Sequence, residues 1–135
     1  MRAVDTNVLA RFFIDDPDDP QARRQRLVAT RLMQETVFVT VSVLLEFEWV
    51  MRGFYELSRA DTSRVLKALC GLENVSVEDR EGVLSAIEWH ERGMDFADAL
   101  HLGRSRRCEA LVTFDRRLAK RATRLRAIPA VEVAR

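Results

Sequence analysis

Five short apolar runs, each parted from the next by one or two longer stretches of helical spacing, restrict this chain to a small set of folds. The runs Arg2 to Asp5, Val37 to Thr40, Val75 to Val77, Leu111 to Phe114 and Val131 to Val133 are too brief for helices and rich in β-branched residues, so they predict strands. Apolar spacing predicts helices over about Asn7 to Ile14, Asp19 to Glu35, Ser42 to Phe54, Arg59 to Leu72, Asp79 to Glu91 and Asp95 to Arg107, with a short seventh after Asp115. The first must stop before Asp15-Asp16-Pro17, because the residue before proline resists the helical well. In the second, Leu27, Val28, Leu32 and Met33 form the expected apolar face. Ser58 is placed to cap the fourth and Gly93 to end the fifth. Strands that alternate with helices imply right-handed crossovers and a mainly parallel sheet of four to five strands, covered on both faces. Ligands of such sheets bind at the carboxyl ends of the strands.

The chain has 135 residues, enough for one domain with its own core, and no repeat or Gly/Ser linker divides it. A single domain over residues 1–135 is the expectation. No apolar run reaches the roughly 18 to 20 residues of a membrane span, and Asp5 interrupts the place where a signal peptide would be apolar. A cytoplasmic protein without membrane contact is expected. Cys70 and Cys108 belong to no CxxC or Cys/His cluster and read as free thiols. The net charge of +1 gives no global field for nucleic acid, yet residues 104–126 hold nine bases against Glu109 and Asp115. Arg116, Arg117, Lys120, Arg121 and Arg124 belong to that stretch, which either steers a phosphodiester toward nearby acids or is a solvated helix face.

Acids fall where the strand-end rule points. Asp5 follows the first strand in Val4-Asp5-Thr6-Asn7, and Asp115 follows the fourth in Leu111-Val112-Thr113-Phe114-Asp115. Both also precede helices, where an aspartate is a favoured cap, so each has a structural as well as a functional reading. Glu46 and Glu48 lie two positions apart in an otherwise apolar helix and point about 200° apart around its axis. Arg52, at i+4 from Glu48, gives that acid a surface ion pair. Glu46 has no base at its i±3 or i±4 positions, and an unpartnered carboxylate on an apolar face needs a cation or an opening to water. Asp95 is placed to cap the sixth helix, and Asp98 carries both a capping-box and a functional reading.

Carboxylates gathered at one end of a parallel sheet raise one another's pKa, a conflict that a hard cation removes. Oxygen-only donors suit Mg²⁺ or Mn²⁺ better than zinc, and His90 and His101 have no third zinc ligand beside them. Such ions activate water against a phosphodiester without a nucleophilic side chain.

Taken in order, Val-Asp-Thr-Asn near the N-terminus, the acid in Ser-Val-Leu-Leu-Glu-Phe, Asp-Phe-Ala-Asp-Ala-Leu-His and Leu-Val-Thr-Phe-Asp resemble the four signature segments of PIN domains across residues 2 to 134. More narrowly, the chain is similar to VapC-type toxins of bacterial toxin–antitoxin pairs. The resemblance implies a three-layer α/β/α fold around the parallel sheet and Mg²⁺- or Mn²⁺-dependent cleavage of RNA. It assigns Asp5, Glu46, Asp98 and Asp115 as catalytic, metal-binding acids, with Thr6 or Asn7, Thr113 and Asp95 in supporting positions. It further implies a homodimer or a toxin–antitoxin hetero-oligomer with a VapB-like antitoxin, for which the apolar stretch from Phe47 to Tyr55 offers one receiving surface.

Rival readings are a housekeeping RNA-processing nuclease of the same class, a non-catalytic RNA- or antitoxin-binding module, and a phosphoaspartyl enzyme. A haloacid-dehalogenase-type site wants an aspartate where Asn7 stands, and Lys120 is misplaced for a receiver domain. Aromatic residues do not interleave with the basic stretch, which disfavours a stacking platform.

Overall fold

Every strand in this computed structural model, which describes residues 1–135, is only two to four residues long, and every strand pairing is parallel. Parallel partners cannot be joined by tight turns, so the helices between them are obligatory connections. The chain forms two compact units, Met1–Glu78 and Asp79–Arg135.

The first unit runs β1 (Arg2–Ala3), α1 (Thr6–Phe13), α2 (Pro20–Leu32), β2 (Val37–Val39), α3 (Val41–Gly53), α4 (Arg59–Gly71) and β3 (Val75–Val77). Its sheet has the order β1-β2-β3, with Arg2 opposite Val37 and Val37 opposite Val75. Val37 and Val39 are buried on the central strand, where helices leave no wet face. Leu9, Leu44, Phe47, Met51, Leu66 and Leu69 complete this core. Pro20 occupies the first position of α2, and Asp19 accepts from the backbone N–H groups of Gln21 and Ala22. Ser58 caps α4 as expected.

The buried face of α2 differs from the expected one. Met33 is buried as expected, but Leu27 and Val28 are exposed and Ala22 and Ala29 are buried in their place. Small alanines one above the other let α1 approach α2 closely, and the larger residues turn outward. The helix also stops at Leu32, because Gln34 and Glu35 bond back to the carbonyls of Arg31 and Leu32 in tighter turns.

The second unit runs α5 (Arg80–Glu91), α6 (Phe96–Gly103), β4 (Ala110–Thr113), α7 (Arg116–Arg124) and β5 (Ala130–Val133). Strands β4 and β5 pair over four residues, from Ala110 opposite Ala130 to Thr113 opposite Val133. The five expected strands therefore form two sheets of three and two strands. With two residues, β1 supplies only a minimal ladder, and β2 takes it. Val83, Ile87, Met94, Phe96, Leu100 and Leu102 form the core between α5 and α6. These helices touch backbone to backbone at Gly82 and Gly103, where a Cβ on Gly82 would stand 2.8 Å from the Gly103 carbonyl oxygen. Helix α6 ends at Gly103, short of the expected Arg107, and the N–H groups of Ser105 and Cys108 bond back to the Leu102 and Ser105 carbonyls in tighter turns. Arg106 reaches back to Asp79 at 2.7 Å. No helix is long and apolar enough to cross a membrane.

Candidate active site

In the first unit the parallel sheet sends both α1 and α3 from the carboxyl ends of their strands, and the sequence places an acid on each. Asp5 is the N-cap of α1, its carboxylate accepting from the Val8 N–H at 3.3 Å while the side chain remains exposed. Thr6 opens the same helix and is buried. Its hydroxyl donates to Oε1 of Glu46 on α3, so one hydroxyl ties the two acid-bearing helices together. Asn7, the alternative supporting residue, instead lines a cavity of about 220 Å³ between α1 and α2, together with Arg11, Gln25 and Val28. Asp5 borders a separate concavity of about 310 Å³ that includes Arg2, Glu35 and Val37.

Helix α3 reverses the burial expected for its two acids. Sequence position predicts a surface pair between Glu48 and Arg52. The pair exists, with Arg52 Nε 3.0 Å from Oε2, but the Glu48 side chain is only 3% exposed. Glu46 is the exposed one. Core positions Leu44, Phe47 and Met51 set the buried face, and Glu48 lies on it beside Phe47 and one turn from Leu44 and Met51. Its charge is tolerated there because a guanidinium one turn on reaches it from the half-exposed side. Glu46 needs no such neutralisation and keeps a carboxylate oxygen accessible beside Thr6.

In the second unit the acids again stand at helix starts. Asp95 caps α6 and accepts from the Asp98 N–H at 3.1 Å, as its sequence position predicts. Asp115 caps α7, accepting from the N–H groups of Arg117 at 2.9 Å and Leu118 at 3.1 Å. The Thr113 hydroxyl accepts from the Asp115 N–H at 3.0 Å, which makes Thr113 a support for the main chain that carries the acid. Asp98 lies half-buried in the first turn of α6. Burial, then the negative charges of Asp95 and Asp115, push its carboxyl above the ordinary range, and His101 one turn on opposes them. Asp98 thus carries the like-charge conflict of this half of the chain.

The donors are carboxylate and hydroxyl oxygens without a thiolate, and a divalent oxygen-seeking cation would relieve the like-charge conflict at Asp98. In neither unit do three acidic, histidine or cysteine side chains converge into a ready-made cage. The residues fit such a cation by chemistry.

The basic stretch divides. Arg106 is engaged by Asp79, and Arg121 donates to the Arg92 carbonyl at 3.4 Å. Arg116, Arg117, Lys120 and Arg124 lie exposed on α7, whose buried face is Leu118 and Ala122. The helix that begins at Asp115 thus presents a continuous positive face. Nothing in the basic composition of residues 104–126 sets Arg121 apart from its neighbours. Its i+3 spacing from Leu118, toward the buried stripe, was the available signal that it differs.

A family model described as PIN domain matches residues 2–124. No curated protein and no solved structure matches the chain.

Proposed function

Because this chain belongs to the PIN-domain family, a family of nucleases that generally use divalent metal ions, we propose that it is a metal-dependent endoribonuclease. The observation that carries the reading is the placement of Asp5, Asp98 and Asp115 at helix starts, with Glu46 accessible beside Thr6, in a chain of a nuclease family. Asp5, Glu46, Asp98 and Asp115 are the proposed ligands of Mg²⁺ or Mn²⁺. When bound, such a cation polarises a phosphodiester and makes water a better nucleophile near neutral pH.

The chain's own residues prepare and orient. Thr6 fixes the rotamer of Glu46 through its hydroxyl. Thr113 and the first N–H groups of α7 hold Asp115, leaving its second carboxylate oxygen for a ligand. The exposed arginines of α7 draw the polyanion toward the acids by long-range attraction that salt screens.

The four signature segments further support a VapC-type toxin, working in the cytoplasm as a homodimer or in complex with a VapB-like antitoxin. Inducing the chain with and without a small neighbouring reading frame, then mapping RNA ends, tests that role. Growth arrest relieved by the neighbour is expected, and arrest without new RNA ends refutes it.

Purified chain incubated with single-stranded RNA tests the chemistry itself. Cleavage in Mg²⁺ or Mn²⁺, its loss with chelator, and its loss in Asp5→Asn with unchanged circular dichroism are expected. Retained cleavage by Asp5→Asn refutes the assignment.

A further inference from the structure

Arg121 sits in the basic helix but does not behave as one of its surface charges. The end of α5 is closed by the Gly93 N–H donating to His90 O at 3.0 Å and the Met94 N–H donating to Trp89 O at 3.0 Å. Gly93 holds φ +112°, the left-handed conformation on which such a helix ending turns. The face of Gly93 is not open. A Cβ built there would run into Nη1 of Arg121 and stand 3.2 Å from its Cζ. The same Nη1 donates to the carbonyl of Arg92, one of the last unpaired acceptors of α5. The Nη1 end of the guanidinium therefore packs against a two-residue joint, Arg92-Gly93.

What that joint carries gives the contact its consequence. Met94, buried, and Asp95, the cap, follow directly, and Asp98 stands in the first turn beyond. Arg121 itself belongs to α7, whose first residue follows Asp115. One contact therefore links the helix that presents Asp115 to the loop that launches Asp98.

We propose that Arg121 is a positioning residue: its guanidinium, packed against Gly93 and bonded to Arg92 O, sets the spacing between Asp98 and Asp115. The inference rests on the reading of those two acids as cation ligands. It separates Arg121 from Arg116, Arg117 and Arg124, whose role would be attraction of RNA.

The sign of one measurement distinguishes the two roles. Removing a positive charge near a cation site should by Coulomb's law leave Mn²⁺ affinity unchanged or tighten it. Removing a positioning group should weaken it, on the order of tenfold, as loss of an outer-shell partner does. Mn²⁺ is titrated calorimetrically into the wild type, Arg121→Ala and the charge-matched control Arg124→Ala, with Mn²⁺ as the only ligand. Expected are binding by the wild type, roughly tenfold weaker binding by Arg121→Ala, and unchanged or tighter binding by Arg124→Ala. Arg121→Lys, which keeps a donor for Arg92 O, should recover part of the loss and replaces Arg121→Ala if that variant does not fold. Equal or tighter binding by the Arg121 variant overturns the positioning role alone. Equal weakening in both variants overturns it as well. A wild type that takes up no Mn²⁺ overturns the cation-ligand reading and this inference with it.

Discussion

Replacing Glu46 and Glu48 separately by glutamine should split stability from activity, because the two acids of α3 do different work on opposite sides of one helix. Glu48 is 3% exposed and receives Arg52 Nε at 3.0 and 3.4 Å. A charge-assisted hydrogen bond contributes about 1.5 to 3 kcal/mol, and glutamine keeps an acceptor but not the charge. Arg52 is 55% exposed, so solvent screens part of the attraction and the expected loss is about 1 to 2 kcal/mol. For a chain of this size that lowers Tm by about 3 to 8 °C. Cleavage by folded Glu48→Gln should stay within about twofold of the wild type, a difference too small to implicate transition-state binding. Glu46 is exposed and held only by Thr6, and glutamine still accepts from that hydroxyl. Glu46→Gln should therefore melt with the wild type, yet lose more than the 10- to 100-fold typical of an outer-shell change, since it removes a proposed ligand. Differential scanning calorimetry and a fluorogenic RNA assay on the same preparations read both quantities. A Glu46→Gln variant that melts early and cleaves normally, or a Glu48→Gln variant that melts normally and does not cleave, would refute this division.

Asp115→Asn should melt within about 0.5 kcal/mol of the wild type, because asparagine caps a helix as well as aspartate, while cleavage is lost; Asp115→Ala should lose about 1 kcal/mol besides. Denaturant melts and the RNA assay check both, and a cap-preserving variant with full activity would return Asp115 to a structural role. The raised Asp98 carboxyl means that the metal-free folded state holds its proton more tightly than the unfolded chain. Stability from this group is thus complete at pH below the ordinary Asp value and is lost as pH rises through the raised one. Metal-free Asp98→Asn should therefore melt above the wild type at neutral pH and level with it in acid; a constant gap across pH would contradict the mutual repulsion. Charge reversal at Arg116, Arg117 and Arg124 should weaken RNA binding and flatten its dependence on log salt. An unchanged slope would make the α7 surface a solvated face.

Local rules were legible without coordinates. Asp5, Ser58, Asp95 and Asp115 cap the helices that follow them, since a short acceptor before an apolar run satisfies N–H groups within its own turn. The strand positions and their parallel sense followed from alternation alone, as no tight turn could join them. The pairing of Glu48 with Arg52 was likewise readable, because i+4 neighbours meet on any helix.

Burial was not readable in the same way. Periodicity shows that α3 has an apolar side but not how far the buried arc extends, so Glu48 and Glu46 exchanged their expected environments. The same limit sent Leu27 and Val28 of α2 to solvent, where the closeness of α1 favours Ala22 and Ala29. Contacts between residues distant in sequence depend on how helices cross, and no local pattern encodes them. Thr6 found Glu46 across 40 positions, and Arg121 found Gly93 across the joint that launches Asp98. Sequence alone determined which residues can act as acids and where helices must start, because those follow from chemistry within one turn. Tertiary structure decided which of those acids stay accessible and which basic side chain packs on the joint before Asp98, because packing chooses the neighbours.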